Sequence, residues 1–332
     1  MNRRSFAQAS GAAAVAALLP AAARAAFAPA GVNIVNTGSN DSFALQALIK
    51  SQHYLEDFNL TADTLNVSDG IKLTASVVTG ASDIGILTGF SQVFPAIENG
   101  APLKLVGCAM RAPDFTVITG NPSVKSLKDL EGKTVGTGAI GALVYAVMAA
   151  MLKKEHVDLD KITFVNIGSS SDVFKAVAAR KVDAGPCQHD FVKVAAQFNC
   201  RVIADAPKEV PQFTNQGTFT TDRAIAEKRD VLVRTLAAYG RAYRFVDSPN
   251  SKATYVKAYV DGVGPDAATE GSDRWDWIQS VKGYEADIAL SAERIMYMQA
   301  LNVELGNQKA ILPLEKVADM SLAHDAVKLL KG

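Results

Sequence analysis

The sequence has few of the residues that usually carry catalytic or metal chemistry. It contains three cysteines, four histidines and two tryptophans in 332 residues, and its 34 basic residues equal its 34 acidic ones. Three cysteines cannot form a disulfide framework. We expect buried free thiols, with a Cys187–Cys200 pair as the alternative. The chain has no long basic run, so a nucleic-acid partner is not expected.

Motifs of several enzyme classes are also missing. The sequence contains no G-x-S-x-G, no P-loop lysine pattern and no H-E-x-x-H. The histidines do not cluster, and Cys187 with His189 makes too small a set for a metal site. His189 follows a predicted strand, where it either hydrogen-bonds a ligand or simply shapes the loop. The sequence therefore predicts neither a cofactor nor a metal.

Long hydrophobic runs are absent after the N-terminal segment, which has the pattern of an export signal. Arg3 and Arg4 precede an uncharged run over 7–23, and residues 23–25 read Ala-Arg-Ala, a small-residue cleavage site. The paired arginines predict the twin-arginine route. The run is too short for a membrane anchor and is interrupted by Pro20. We therefore expect residues 1–25 to be removed.

The remaining chain is expected to be periplasmic and soluble. No later segment reaches the roughly 18 apolar residues of a spanning helix. No cysteine follows the cleavage region, so a lipoprotein is not expected. Loss of the three signal arginines leaves a net charge near −3. The length is sufficient for two lobes of ordinary domain size.

Strands and helices alternate through the first half, as the periodicity of apolar residues indicates. Asn40 or Asp41 is a predicted helix N-cap, and Ser68-Asp69 is another. The predicted strands are 32–35, 64–67, 82–87 and 103–108, and one more begins at Lys133. The predicted helices are 42–57, 71–78, one ending near Asn99, and 142–153.

The chain also repeats itself at a spacing of about 100 residues. The repeated features are Gly38 and Gly138, each between a strand and a helix; Asp83-Ile84-Gly85 and Asp183-Ala184-Gly185; and Ser68-Asp69 and Ser171-Asp172, which are three residues out of that register. Three such repeats predict two similarly built α/β lobes. Their sheets would be mainly parallel, with ligands bound at the carboxyl ends of the strands.

The last third of the sequence changes to a helical pattern, with predicted helices at 225–246, 251–260, 285–305 and 322–330. The segment 262–283 between them is polar, and we predict turns there. It contains Trp275 and Trp277, which we expect in the partial core or at the surface rather than around a ligand.

A glycine-rich stretch at 126–141, SLKDLEGKTVGTGAIG, is the most distinctive in the chain. Gly136, Gly138 and Gly141 match the dinucleotide pattern G-x-G-x-x-G, and Glu155 lies near the required distance. The repeat partner at Gly38 has no further glycines, which argues against a dinucleotide. A strand, a glycine loop and a helix N-terminus instead offer backbone N–H groups to a bound solute.

These stretches resemble the type 2 periplasmic solute-binding proteins of ABC transporters, in the sulfonate, taurine, nitrate and thiamine-precursor branch. The resemblance covers the whole chain after the signal. It is carried by SLKDLEGKTVGTG and by NTGSNDS (36–42), SDIGILTG (82–89), KVDAGPCQHD (181–190) and ILPLEKVADM (311–320).

The resemblance implies an α/β fold of two lobes with the ligand cleft between them. Lobe one would comprise residues 31–113 and 220–332, and lobe two residues 114–219, with crossover strands near 111–119 and 215–221. The protein would capture a small organic solute, expected to be anionic, by lobe closure. A monomer without enzymatic activity would deliver this solute to a permease and its ATPase in the inner membrane.

The resemblance also implies a set of ligand-binding residues. Arg111 is the candidate countercharge of a carboxylate, with a surface or hinge salt bridge as the alternative, and Phe115 is the candidate stacking partner. Gly141-Ala142 replaces the Ser-Thr common in sulfonate binders, which argues against a sulfonate, and Gln188 replaces a tryptophan. The implied residues are Ser39, Asn40, Asp41, Thr88, Gly89, Arg111, Phe115, Gly138, Ala139, Ile140, Gly141, Gln188, His189 and Asn215.

Two alternatives remain open from the sequence. One is an enzyme of the same fold, similar to thiamine-pyrimidine synthases, although the cysteine-rich cluster of those enzymes is not present. The other is a subunit that binds a ligand for a membrane sensor.

Overall fold

The computed structural model describes residues 27–67 and 69–331, so the predicted signal at 1–25 and Ser68 lie outside it. The strands are β1 (Ala30–Thr37), β2 (Leu60–Val67), β3 (Ile84–Thr88), β4 (Leu103–Cys108), β5 (Thr116–Thr119), β6 (Thr134–Thr137), β7 (Thr163–Asn166), β8 (Ala184–Cys187), β9 (Arg201–Asp205) and β10 (Gly217–Thr221). The helices are α1 (Asn40–Ser51), α2 (Gly70–Val78), α3 (Val93–Glu98), α4 (Leu143–Lys154), α5 (Ser170–Ala178), α6 (Val192–Ala195), α7 (Ala206–Glu209), α8 (Asp222–Asp247), α9 (Lys252–Val263), α10 (Ala268–Val281), α11 (Ala292–Glu304), α12 (Leu314–Val317) and α13 (Ser321–Leu329).

The strands form two five-stranded sheets with matching topology. The first has the order β2-β1-β3-β10-β4 and the second the order β7-β6-β8-β5-β9. In each sheet the first three strands are parallel, and the fourth is antiparallel to both of its neighbours. Two mainly parallel sheets flanked by helices confirm the predicted α/β fold of the periplasmic binding proteins.

The repeated Asp-x-Gly motif has the same structural role in both sheets. Asp83 donates its backbone N–H to the Asn33 carbonyl at 2.8 Å and accepts the Asn33 N–H on Oδ2 at 2.9 Å. Asp183 makes the same pair of bonds with Thr134, at 2.8 and 2.9 Å. Each aspartate therefore ties the edge of a βα unit to the strand beside it, which explains why the motif recurs.

The third repeat was placed wrongly from the sequence. Helix α2 begins after the N-cap Asp69, whose carboxylate accepts the N–H groups of Ile71 and Lys72. Helix α5 begins after the N-cap Ser169, and Asp172 is its third residue. The equivalent caps are thus 100 residues apart without a loop change. In a Ser-Asp pair either residue can be the N-cap, so aligning the two Ser-Asp pairs by residue type gave the wrong register between the two helices.

The chain crosses between the sheets twice. Residues 109–115 lead from β4 into β5, and residues 210–216 lead from α7 into β10. Each of these strands enters the middle of its new sheet as the antiparallel member. The division into lobes at 113/114 and 219/220 stays a proposal. Strand β5 belongs wholly to the second sheet, and β10, which the boundary at 219/220 would divide, belongs wholly to the first.

Helix α1 starts earlier and stops earlier than predicted. Its N-cap is Ser39, whose Oγ accepts the Ser42 N–H, rather than Asn40 or Asp41. The helix ends at Ser51, and His53 has a φ of 55°, a left-handed conformation that breaks the helical path. Asp41 is thereby placed in the first helical turn, facing the space between the sheets.

Helix α10 corrects the prediction of turns over 262–283. Its buried positions are Gly271, Arg274, Trp277 and Ile278, which recur at helical spacing. A glycine and an arginine in this stripe hide it from a search for apolar periodicity. Trp277 is 6% exposed, whereas Trp275 is half-buried and donates its indole N–H to Ser251 Oγ at 2.8 Å.

The three cysteines are buried and free, so the Cys187–Cys200 pair is not formed. Burial raises the pKa of the Cys108 and Cys187 thiols, which keeps them protonated and unreactive. Among residues 27–67 and 69–331 no helix is long and apolar enough to cross a membrane. The same residues contain no group of three or more His, Cys, Asp or Glu side chains arranged for a metal.

Candidate functional site

Three carboxylates from three parts of the chain converge on one arginine between the sheets. Arg274 of α10 donates Nε to Asp41 Oδ1 at 2.7 Å and Nη2 to Asp41 Oδ2 at 2.5 Å. Its Nη1 lies 2.5 Å from Asp114 Oδ2 and 3.9 Å from Asp190 Oδ1. Asp41 belongs to α1, Asp114 to the first crossover, and Asp190 to the turn after β8. We call these three aspartates the carboxylate cluster.

Helix α10 brings Arg274 into this position by close packing on α9. A Cβ at Gly271 would lie 2.8 Å from Tyr259 Cβ, so only glycine allows the two helices to approach this closely. One turn later, Arg274 is fully buried. The Trp277 ring lies 4.4 Å from the Arg274 guanidinium carbon, a cation–π contact in a desolvated site.

The cluster has more acidic groups than basic ones, with three aspartates around one arginine. Burial raises the pKa of Asp41, although Arg274 acts against this. Burial likewise raises the pKa of Asp190 to about 8, with Asp114, Asp41 and Glu270 adding to the effect. Burial disfavours the charge of Arg274, but Asp114 and Asp41 outweigh it and raise its pKa well above the usual range. Arg274 therefore remains charged.

A fourth carboxylate, Glu270, closes the outer edge of the cluster. Its Oε1 accepts hydrogen bonds from Asn40 Nδ2 at 2.8 Å and from the Tyr259 hydroxyl at 2.6 Å. These bonds link α10 to the first turn of α1 and to α9. The loop after β1 and the C-terminal helices therefore form one polar surface.

Several buried polar atoms around Arg274 have no hydrogen-bond partner among the described residues. They include the Tyr255 and Tyr284 hydroxyls, which interact electrostatically with Asp41 and Arg274. Asn215 donates Nδ2 to Met110 Sδ at 3.4 Å, while its Oδ1 has no partner. Unsatisfied buried groups are costly, so they mark places where a ligand or water can bind.

A cavity of about 790 Å³ lies beside the cluster. Its wall combines the turn after β8, the segment from Asp205 to Pro211, the first crossover and one side of α10. Lys193 of α6 makes a very short contact with Asp273 of α10 across this opening. The cavity has the size of small-molecule sites and is bounded by both sheets' loops and by the C-terminal helices.

Arg111 lies at the wall of this cavity. Its Nε donates to the Lys282 carbonyl at 2.8 Å, and Nη1 is 3.8 Å from Glu285 Oε2. The side chain is 36% exposed. The remaining N–H groups of the guanidinium are therefore accessible from the cavity side, although Glu285 competes with any incoming anion.

The glycine loop of the second sheet faces the loop after β3 of the first. A Cβ at Gly89 would lie 3.0 Å from Leu143 Cβ, at the start of α4. Ala142 is the N-cap of α4 and makes no side-chain capping bond. Gly141 has a φ of 84°, and Ile140 is 70% exposed. Residues 138–142 are not among those that line the cavity beside the carboxylate cluster.

The other implied site residues have mainly structural contacts. Thr88 Oγ1 approaches the Gly217 carbonyl at 3.5 Å, and Phe115 is 4% exposed within a hydrophobic cluster that includes Phe213. Gln188 accepts from Ser170 Oγ at 2.9 Å and donates Nε2 to Asp114 at 3.4 Å. The His189 backbone N–H donates to Asp114 at 3.3 Å, and its ring lies 5.7 Å from Trp277.

The structure therefore brings Asn40, Asp41, Gln188, His189 and Asn215 to one place, with Arg111 beside them. Gly138 to Gly141, Ser39, Thr88 and Gly89 lie in the facing loops. The sequence interpretation missed Asp114, Asp190, Glu270, Arg274 and Trp277. Recognition of α10 as a helix would have placed the last three on related faces, since 270, 274 and 277 are spaced by four and three residues.

The sequence matches the family NMT1/THI5 like over residues 40–251. A comparison with the sequences of curated proteins finds no match.

Solved structures show the same fold at low identity. The alkanesulfonate-binding protein SsuA from Xanthomonas axonopodis pv. citri, bound to MOPS, is 19% identical with a TM-score of 0.70, over 87% of this chain and 98% of that one. The nitrate-binding protein NrtA from Synechocystis PCC 6803 is 10% identical with a TM-score of 0.73, over 91% and 89%. The desulfurization enzyme DSZB is 12% identical with a TM-score of 0.62, over 90% and 99%.

The matched segment is more than half of the chain and covers most of both sheets, so the chain belongs to the NMT1/THI5-like family, and it has the periplasmic binding protein fold.

Proposed function

We propose that the protein is the extracytoplasmic solute-binding subunit of an ABC importer. It binds a small organic solute between its lobes and delivers it to a membrane permease and ATPase. One observation carries this proposal: α1, the first crossover, the turn after β8 and α10 all contribute side chains to one buried site. A solute bound there would touch both lobes, so it would favour their closed arrangement and shift the population toward it.

The binding role is favoured over catalysis by the state of the reactive groups. Burial raises the pKa of the Cys108 and Cys187 thiols, which disfavours the nucleophilic thiolate. His189 Nδ1 has no partner among the described residues, so no side chain there orients the ring as a base. We therefore propose that the solute leaves the protein unchanged, and that DSZB shares only the fold.

An acidic group on the solute is the finer proposal. Arg111 is accessible from the cavity and keeps N–H groups for a carboxylate. The N-terminus of α4, in the glycine loop that faces Gly89, has Ala142 as its N-cap and lacks the hydroxyls that a Ser-Thr pair would offer a sulfonate. We favour a carboxylate over a sulfonate on this ground.

The test is a thermal-shift screen of the protein purified from the periplasm of an expression host. The compounds are sulfonates, carboxylates, pyrimidines and flavins. Binding stabilises the folded state by about 2.7 kcal/mol at a concentration 100 times Kd, so a true ligand raises the midpoint further, with the logarithm of its concentration, as more is added. Mass spectrometry of the recovered compound should find it intact. A chemically altered compound would support an enzyme instead.

A further inference from the structure

One carboxylate at the cavity wall lacks a close countercharge. Arg274 donates hydrogen bonds to Asp41 at 2.7 and 2.5 Å and to Met110 Sδ at 3.4 Å, and its Nη1 is 2.5 Å from Asp114. Asp190 lies 3.9 Å from the same Nη1, beyond hydrogen-bond distance. One guanidinium thus interacts with three aspartates, and its contact with Asp190 is the longest of the three.

The other acidic residues of the cavity wall each have a lysine. Lys208 Nζ lies 3.2 Å from Asp205, and Lys252 Nζ lies 2.7 Å from Asp276. Lys193 contacts Asp273. Among the cavity carboxylates of the described chain, Asp190 is therefore the one whose charge is open to a partner from the cavity.

The groups beside Asp190 fit a cation with hydrogen-bond donors. Burial lowers the pKa of His189, so its ring is neutral near pH 7, and its buried Nδ1 has no partner among the described residues. Asp205 Oδ1 is also buried without a partner. The Trp277 ring, which already has the Arg274 guanidinium carbon 4.4 Å from its centre, also lines this cavity. Among the described residues, the buried Tyr255 and Tyr284 hydroxyls also have no hydrogen-bond partner.

We propose that the solute carries a cationic group, an ammonium, amidinium or guanidinium, which binds Asp190 and lies against the Trp277 indole in this cavity. This inference rests on the proposed function, because it names the charge of the solute that the cleft receives. Together with an acidic group at Arg111, on the same cavity wall, it makes the solute amphoteric.

The test compares two planar probes of nearly equal shape, benzamidine and benzamide, which differ in charge. Calorimetric titration of the wild-type protein should give benzamidine an affinity at least about tenfold higher than benzamide, equivalent to one step of about 1.4 kcal/mol. Asp190→Asn should abolish this preference. Asp276→Asn is the matched control, because Asp276 lines the cavity but is exposed and paired with Lys252; it should keep the preference.

The empty protein supplies a readout that separates binding from a structural role. An Asp190 that serves only as an ion-pair partner would lower the thermal midpoint when replaced by asparagine. If Asp190 instead lacks a countercharge, Asp190→Asn should raise the thermal midpoint above about pH 8, where the substitution removes an ionised carboxylate. A lowered midpoint in Asp190→Asn would overturn the proposal, as would equal affinity for the two probes.

The pH dependence of binding gives an independent check. Arg274, Asp114, Asp41, Glu270 and Tyr259 are the ionisable groups that face Asp190. With a pKa of about 8, Asp190 must lose its proton when a cation binds at lower pH. Benzamidine affinity should therefore fall as the pH decreases from about 8 to about 6, and protons should be released on binding. Benzamidine remains charged throughout this range, so the change reports the protein.

The outcomes also separate this inference from the proposed function. If a carboxylate from the thermal-shift screen binds but benzamidine shows no preference over benzamide, the cationic group is wrong and the solute-binding role stands. If no compound of the screen binds, the proposed function itself fails.

Discussion

Replacement of Arg274 by alanine should destabilise the protein strongly and in a pH-dependent way. The substitution leaves Asp41, 2% exposed, and Asp114, fully buried, without the cation they share. Loss of one partner from a buried ion pair costs about 3–5 kcal/mol. Folded proteins are stable by roughly 5–15 kcal/mol, so this is a large fraction of the total.

The sign of the pH effect follows from the direction of the Asp41 pKa. Burial raises that pKa in the folded protein even with Arg274 present, and its removal takes away the charge that lowers it. A carboxyl with a raised folded pKa destabilises the folded state progressively as the pH rises from its unfolded value toward its folded one. The loss in Arg274→Ala should therefore be smaller near about pH 5 than near about pH 8.

Urea unfolding followed by circular dichroism at these two pH values measures the effect. Arg111→Ala is the control, because its ion pair with Glu285 is 3.8 Å long and partly exposed, and solvent-accessible pairs contribute about 0–1 kcal/mol. A decrease in the free energy of unfolding below about 1 kcal/mol in Arg274→Ala, or a decrease that is equal at both pH values, would refute the view that the carboxylate cluster is buried and depends on Arg274 for positive charge.

Three further predictions concern the acidic group, the thiols and the repeat. Arg111→Ala should weaken binding of an acid-bearing solute by about tenfold or more in a calorimetric titration, and unchanged affinity would contradict its role. A thiol reagent should find no reactive cysteine in the folded protein and all three after unfolding, whereas a disulfide would leave one. Gly185→Ala should lower stability by about 1–3 kcal/mol in urea unfolding, because the added Cβ would lie 2.4 Å from Val173 Cγ1 and 2.5 Å from the Gly136 carbonyl oxygen. Gly85→Ala should be milder, since its nearest neighbour is the end of the Phe219 ring at 3.1 Å.

Local chemistry was sufficient to predict most of the two sheets from the sequence. The strand Leu103–Cys108 has the predicted bounds, and Asp69 caps α2 as expected. The Asp-x-Gly repeat predicted two similar lobes, because its aspartate satisfies backbone groups of the neighbouring strand in each. These features depend on residues close in sequence or on motifs that occur twice.

The carboxylate cluster could not be predicted in the same way. Asp41 and Arg274 are separated by 233 residues, and their hydrogen bonds depend on how α10 packs against α9 and α1. The sequence does not distinguish a buried arginine from an exposed one. The burial of Arg274 is evident only in the folded structure, where three carboxylates surround it. The anionic ligand expected from the sequence was therefore based on Arg111 alone and took no account of the carboxylates on the same cavity wall.

The length of α11 shows a smaller error of the same kind. A helix over 285–305 was expected, but α11 begins at Ala292. Tyr284 instead pairs with Met110 as an isolated β-bridge, and the Glu285 N–H donates to the Ala109 carbonyl. These long-range backbone bonds hold residues 284–285 beside the first crossover and override their local preference for a helix.

The proposed closure of two lobes on a solute can be measured as a distance. Lys72 on α2 and Lys175 on α5 are exposed and occupy similar places in the two lobes, and the native cysteines are buried. Cysteines introduced at both lysines can therefore carry spin labels, with a pair at Lys50 and Lys72 as the control within one lobe. Pulsed electron spin resonance should show a shorter distance between positions 72 and 175 when a stabilising solute is added, and no change between 50 and 72. An unchanged distance between 72 and 175, with a solute that raises the thermal midpoint, would contradict capture by lobe closure.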